Sequence, residues 1–355
     1  MMKLQKMEPK GRSGMKKIPV QQLADALHLS RVTVWKVLND RPGVAPDTVQ
    51  RVREAMERLQ SAPDDARELL PDLRPAQSVT LLAARADAAP FWMQIVDQIA
   101  ADLSRRKIRL NYLPADVLNL SPGELASRIH REGADGVLVI NIYERPLISA
   151  LAAIPLPKVY LDAIPGLGAA DLRGDLLLLE GRGSVRALVR DLVQRGCRRV
   201  GFIGDIRHAQ TNLLRWEGFR DGMKDAGLPV EPGICLTRSI DAGDCREAIA
   251  AFLDSMTAVP DGFVCVNDLV AFNTLNLLEE RGVRVPGDVV LSGYDDSREF
   301  LLERRGVSTV RVQNAQLGRR MVSQLLYRME NPAADFEEIQ VIPRVILRGA
   351  NQGDG

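Results

Sequence analysis

Six side chains of this sequence are suited to holding a small molecule: the aromatic pair Phe91 and Trp92, and the polar residues Asp162, Arg215, Asn267 and Asp295. Aromatic faces cover the body of a ligand, while a guanidinium, two carboxylates and an amide converge on its polar groups. That mixture fits a polyhydroxylated or nitrogen-rich compound, sugar-like or nucleoside-like. The acids and the amide also have a second reading, as caps and turn residues that serve only the backbone. Asp268 reads as the cap of its helix, and Asp296 as a structural residue.

Other chemistries find little support. The sequence has no G-x-S-x-G, no H-E-x-x-H and no P-loop, and its carboxylates come without a base partner, so no catalytic residue is assigned and no enzyme is expected. Four cysteines (Cys197, Cys235, Cys245, Cys265) form no C-x-x-C pair, and there are three histidines (His28, His130, His208). A disulfide framework and a metal site are therefore not expected, and a reducing cytoplasm fits. The stretch Gly181-Arg182-Gly183-Ser184-Val185-Arg186 imitates a dinucleotide fingerprint, but Arg186 stands where close helix packing needs glycine or alanine. No cofactor is assigned.

The elements that position the six residues follow from the apolar pattern. Strands are expected at 79–83, 108–113, 135–140, 157–161, 199–203, 262–266 and 288–292, and helices at 92–106, 184–195, 215–226, 244–256 and 268–281. Strands alternating with helices predict parallel α/β sheets, and ligands bind beyond the carboxyl ends of such strands. Asp162 follows one strand directly, Asn267 and Asp295 follow two others, and Arg215 opens the helix after a fourth. The alternating part is more than one doubly wound sheet needs, so two lobes are expected. No apolar run reaches the ~20 residues that span a bilayer, and no membrane partner is expected.

A different texture precedes the body. Residues 1–60 carry 12 Lys/Arg against 6 Asp/Glu, a net of +6, while the rest carries 35 against 40, a net of −5. A basic head on an acidic body points to a polyanionic partner. Within 18–39, Leu23, Ala24 and Leu27 make one helical stripe, Ser30 is a good N-cap, and Val34, Val37 and Leu38 make the next stripe. Arg31 and Trp35, and Val32 and Lys36, are then left on the outer face. A third helix starts near Pro46. Two readings stand at this level: a helix-turn-helix entering a major groove, or a three-helix interaction module with a charged surface. Between head and body, 61–77 holds Pro63, Pro71 and Pro75 and reads as a linker.

The stretch ALHLSRVTVWKVLNDRPGVAPDTVQRVREAMERL resembles the DNA-binding head of LacI/GalR-family transcription regulators. VYLDAI, RGCRRVGFIGD, RWEGFRDGMKDAGL, GFVCVNDLVAF and RVPGDVVLSGYDDS follow in family order, so the likeness runs over about residues 18–348. It implies an α/β fold: a small all-α helix-turn-helix head (15–60, starting at Met15), a hinge or linker (61–77) and a two-lobed periplasmic-binding-protein-like body (78–355) with two doubly wound sheets. The lobes would comprise 78–174 with 305–331, and 175–304 with 332–355. By resemblance, Arg31, Val32 and Lys36 choose bases, Thr33 and Asn39 touch phosphate, Ser30 and Trp35 belong to the DNA face, and Leu69 is the hinge leucine. Asp162, Arg215, Asn267 and Asp295 fall on effector positions, beside Phe91 and Trp92.

Several positions depart from the family pattern. Trp35 replaces a small residue, Lys36 an arginine and His28 a glycine, and Ala89-Pro90-Phe91 stands for Asn-Pro-Phe. Trp35 has two readings, as a brace for the helix or as a DNA contact. The expected function is a cytoplasmic, homodimeric regulator, a repressor, binding a near-palindromic double-stranded operator under control of a small polar effector. The alternatives are a small-molecule-binding protein whose head no longer binds DNA, and an α/β enzyme acting on sugars or nucleotides.

Overall fold

A computed structural model describes residues 24, 27, 29–38, 41–61, 77–84, 90–113, 120–238, 240 and 245–348. The chain divides into two compact units, 1–77 and 78–355.

In the first unit, helix α1 (Arg31–Leu38) begins where Ser30 accepts a hydrogen bond from the Thr33 backbone N–H at 3.0 Å. Satisfying an otherwise orphaned N–H in this way fixes where the helix starts. Helix α2 (Pro46–Ser61) opens on a proline, whose missing N–H costs nothing in a first turn. Ala24, Val34, Val37 and Val52 form the buried core, with Leu27, Leu29, Leu38, Val44 and Val49 around it. The expected stripe of Val34 and Val37 is thus the face that packs. Apart from Ala24 and Leu27, the first expected helix lies outside the described residues, as do Asn39 and residues 62–76 of the linker, Leu69 among them.

The body holds two parallel sheets. The first is built from β1 (Ser78–Ala83), β2 (Arg109–Leu113), β3 (Gly136–Ile140), β4 (Lys158–Leu161), β5 (Asp175–Leu179) and β11 (Glu338–Val341), in the order β11-β5-β4-β3-β1-β2. The second runs β7-β6-β8-β9, from β6 (Val200–Ile203), β7 (Cys235–Leu236), β8 (Gly262–Cys265) and β9 (Val290–Ser292). Strands β10 (Thr309–Arg311) and β12 (Arg344–Ile346) pair antiparallel, and β10 adjoins β9 through parallel bridges Ser292–Ser308 and Asp295–Arg311. The central strands are continuous apolar runs because helices cover both faces. Helices α3 (Pro90–Arg105), α4 (Pro122–Arg131), α5 (Arg145–Ala153) and α11 (Asn314–Glu330) serve the first sheet. The second is served by α7 (Arg182–Gln194), α8 (Gln210–Asp225), α9 (Cys245–Asp254) and α10 (Asp268–Glu280). A one-turn helix, α6 (Ala169–Leu172), precedes β5.

The lobe boundaries differ from those expected. The family resemblance places residues 175–179 in the second lobe, yet β5 pairs with β4 in the first sheet, Val159 opposite Asp175. It places residues 338–341 there too, yet β11 pairs with β5 in parallel, Glu338 opposite Leu176. The apolar run of β5 needs a neighbour on each side, and β4 and β11 supply them. Residues 305–311 belong with the second sheet, through the β9–β10 bridges. The chain therefore crosses between lobes after Leu179, after Val312 and between Val341 and Arg344. At the last crossing Ile342 is 78% exposed. Among the described residues no helix is long and apolar enough to cross a membrane.

Candidate functional site

The carboxyl ends of strands from both sheets open onto one cavity of about 530 Å³. Phe91, Trp92, Asp162, Arg215, Asn267 and Asp295 all line it. Phe91 and Trp92 come from the first turn of α3, their rings edge to face with centroids 4.9 Å apart.

Backbone geometry aims several polar residues into this space. Asn141, immediately after β3, has φ 55°, Asp162, immediately after β4, has φ 70°, and Asp295, beyond β9, has φ 111°. Asparagine and aspartate tolerate the left-handed region better than most residues, and strain of this kind gathers at functional sites. Asn141 anchors its turn by donating from Nδ2 to the Ala84 carbonyl at 2.7 Å.

Asp162 is buried and heavily hydrogen-bonded. Its carboxylate accepts from the backbone N–H groups of Ala163 at 2.8 Å and Thr211 at 3.2 Å, from the Thr211 hydroxyl, and from the Tyr143 hydroxyl at 3.3 Å. Burial pushes its pKa up, against the pull of those donors. Tyr143 packs its ring 4.4 Å from that of His208, and burial together with the Asp162 charge raises its phenol well above the usual range.

Arg215, on α8, is 5% exposed. Its guanidinium donates to the Val266 carbonyl at 2.7 Å and sits 3.9 Å from the Asp295 carboxylate. Burial pushes the Asp295 carboxyl up to about 8, with Arg215 opposing the rise. Asn267 is the N-cap of α10, its Oδ1 accepting from the Val270 N–H at 2.9 Å, which leaves the amide Nδ2 for other partners. Asp268 is therefore not the cap. It is buried inside the first turn, where it accepts from the Ser297 N–H and the Thr309 hydroxyl, both at 2.8 Å, and tethers the loop carrying Asp295. Asp296 pairs with Arg311 at 2.5 Å and with Arg348, a structural role.

The cavity also takes in Asn141, Tyr143, Glu144, Asp205, His208, Glu299 and Phe300, none of which was anticipated. Asn141 obeys the same strand-end rule as Asp162 and was legible on that ground. Asp205, two residues beyond β6, is legible on the same ground, whereas His208 sits farther along the loop to α8, where the sequence offers no comparable signal.

The glycine-rich stretch at 181–184 holds no anion site. Glu180 places its own carboxylate on the amino end of α7, accepting from the backbone of Gly183 and from the Ser184 N–H at 3.0 Å and hydroxyl at 2.7 Å. A phosphate there would meet a carboxylate already in place. Among the described residues no group of His, Cys, Asp or Glu is arranged to hold a metal ion.

In the head, the outer face of α1 carries Trp35, which is 48% exposed and outside the core, with Thr33 and Lys36 half-buried beside it. The Ser30 hydroxyl shares a 2.7 Å hydrogen bond with that of Thr33, so both are engaged in the cap. Arg31 and Val32 occupy the first turn of α1.

Residues 189–350 match the family model of a periplasmic binding protein-like domain. The HTH-type transcriptional repressor PurR of Haemophilus influenzae is 23% identical over 337 residues, covering 93% of this chain and 97% of that protein. The repressor of the same name from Escherichia coli O1:K1 is 26% identical over 333 residues, covering 93% and 95%. Among solved structures, the transcriptional regulator CelR in complex with cellobiose superposes with a TM-score of 0.67 at 22% identity, over 94% of this chain and 100% of that one. The Lac repressor bound to ONPG superposes with a TM-score of 0.65 at 18% identity, over 95% and 100%.

Proposed function

This chain belongs to the LacI/GalR family of transcription regulators, and we propose that it is a repressor that binds a near-palindromic operator as a homodimer and answers to a small polar effector. The observation that carries the effector half is the convergence of Phe91, Trp92, Asp162, Arg215, Asn267 and Asp295 on one interlobe cavity. A ligand touching both lobes binds their two arrangements unequally, and that difference is what moves an equilibrium. Thr33, Trp35 and Lys36 on α1, with Arg31, Val32, Ser30, Asn39 and the hinge residue Leu69, are the residues proposed for the DNA face. Full-length relatives carrying the name of transcriptional repressor support this reading over an enzymatic one.

Selection of binding sites from a random duplex pool tests the DNA half. The expected product is a two-fold symmetric site whose half-sites are about one helical turn apart or a multiple of it. Recovery of no sequence would establish the alternative, a small-molecule binder with an inert head. Adding polar metabolites to the selected complex then tests the effector half, since one of them must change operator affinity.

A further inference from the structure

We propose that the effector carries a cationic nitrogen, an amine or ammonium group, held where the Phe91 ring, Asp295 and Glu299 meet. The inference rests on the interlobe cavity being the effector site and names the charge class of its ligand.

The lining of that cavity is strongly acidic. Among the described residues, Glu144, Asp162, Asp205, Asp295 and Glu299 line it, against one guanidinium, Arg215, and one imidazole, His208. Arg215 donates to the Val266 carbonyl and lies 3.6 Å from the centre of the Tyr294 ring, while its buried Nε has no hydrogen-bond partner among the described residues. An anionic ligand would enter a space lined mainly by acidic side chains. Like charges close together in a partly desolvated space are costly, and a cation between them offsets the cost.

The carboxylates are not equivalent, and the differences locate the cation. Asp162 is saturated by four donors. Asp205 accepts from the Arg207 N–H at 2.9 Å, and Glu144 from the Tyr143 N–H at 3.1 Å. Asp295, by contrast, has its nearest cation at 3.9 Å, beyond hydrogen-bond reach, and neither it nor Glu299 accepts a hydrogen bond on its carboxylate from a described residue. Burial above all, with the charges of Asp268 and Glu299, pushes the Asp295 carboxyl up to about 8, so a cation arriving beside it would be met by release of that proton.

These two acids, with Phe91 and Ser297, also line the neighbouring cavity of about 360 Å³, so the pair stands where the two spaces join. Among the described residues, the cations of that second space are Arg311, which is paired with Asp296, and the exposed Arg298. Phe91, Trp92 and Phe300 add aromatic surface to the same end. Carboxylates beside aromatic faces are the surroundings in which an ammonium gains both a charge-assisted hydrogen bond and a cation–π contact.

The test is a library of polar metabolites in three charge classes, including matched sets such as glucosamine, glucose and gluconate. Each compound is scored for thermal stabilisation of the full chain and for its effect on operator affinity. Amine-bearing compounds should dominate the stabilisers and bind at least about tenfold tighter than their neutral counterparts. Glu299→Gln, at an exposed position, should remove most of that preference. A neutral or anionic compound that binds as well as its matched amine overturns the proposal, as does a preference unchanged in Glu299→Gln. A neutral effector that alters operator affinity would overturn the charge assignment and leave the regulatory reading standing. An amine that binds with the Glu299 dependence but leaves operator affinity unmoved does the reverse. No stabiliser in any class overturns both.

Discussion

The guanidinium of Arg215 stacks 3.6 Å from the centre of the Tyr294 ring, and the Tyr294 hydroxyl donates to the Glu180 carbonyl at 2.5 Å. Glu180 is the residue at which the chain leaves the first sheet for the second lobe. A side chain lining the cavity is thereby joined through one ring to a crossover between lobes. Coupling of ligand and DNA needs an element whose arrangement both can bias, and this contact is the best-placed candidate in the body.

Tyr294→Phe keeps the stack and removes only the tie to Glu180. A neutral hydrogen bond of this kind contributes about 0.5–1.5 kcal/mol, so a small fall in thermal midpoint is expected. Effector affinity should be nearly kept, while the effector's influence on operator affinity shrinks. Fluorescence anisotropy of labelled operator, with and without effector, reads both. Undiminished coupling would mean that the crossover is held by other contacts.

The Asp295 carboxyl makes stability depend on pH in a definite direction. Its native pKa is about 8, raised by burial, whereas an unfolded aspartate titrates near 3.9. Between those limits the unfolded chain has released a proton that the native state keeps, so stability falls as pH rises through that window. Below about 4 the cost is absent, and above about 8 it is constant. Asp295→Asn removes it, and the variant's gain in thermal midpoint over the parent should be larger at pH 8 than at pH 5. Asp268, pushed up to about 7 by burial, contributes a slope of the same sign to both proteins. A gap that is constant or narrows with pH would contradict the assignment.

How far the sequence carried varies by element. Each of the seven expected strands is present, because short apolar runs flanked by polar turns have few other uses in a chain of this kind. Strand β11 is not legible in the sequence because Glu338, Ile339, Gln340 and Val341 form only a short, half-exposed alternation, and its partner β5 lies far away in sequence. Which lobe a strand joins is a tertiary decision that local pattern does not encode. In the site, Asp162 and Asp295 were legible as strand-end residues. Their differing hydrogen bonding was not, since it depends on Thr211 and Tyr143 arriving from other elements. Asp268 and Asn267 look alike as caps in sequence; only the backbone shows which side chain turns back to the helix and which is buried.

Arg328 on α11 and Asp175 at the start of β5 form an ion pair at 2.7 Å with exposures of 2% and 0%. Gln324 donates to the same carboxylate at 2.7 Å and the Glu337 N–H at 2.9 Å, while Arg328 also donates to the carbonyls of Ala334 and Asp335. The network fastens the returning segment, helix and β11 together, to the first lobe. Arg328→Met leaves Asp175 buried without its counterion and should cost about 3–5 kcal/mol. Adding Asp175→Leu should recover part of that loss, because two apolar side chains leave no stranded charge. Urea denaturation of the single and double variants gives the comparison. A double variant no more stable than Arg328→Met would place the value of the pair in its hydrogen bonds to the backbone of 334–337.

The three tryptophans sit in three different places and report separately. Trp35 is 48% exposed on α1, Trp92 lines the interlobe cavity, and Trp216 is packed against Phe202 and Phe219 with ring centroids 5.2 and 5.4 Å away. In a Trp92→Phe, Trp216→Phe protein, binding of the selected operator should change Trp35 emission and reduce its quenching by acrylamide, because a groove-facing indole loses water on docking. The effector alone should leave that signal still. With Trp92 as the sole indole the pattern should invert, the effector shielding it and the operator having little direct effect. Trp216 as the sole indole should respond to neither, which controls for general changes in the fold. If operator leaves the emission and accessibility of Trp35 unchanged while binding is saturated, the exposed face of α1 does not meet DNA. The head would then have to dock through another surface, and the face assigned to Thr33 and Lys36 would fall with it.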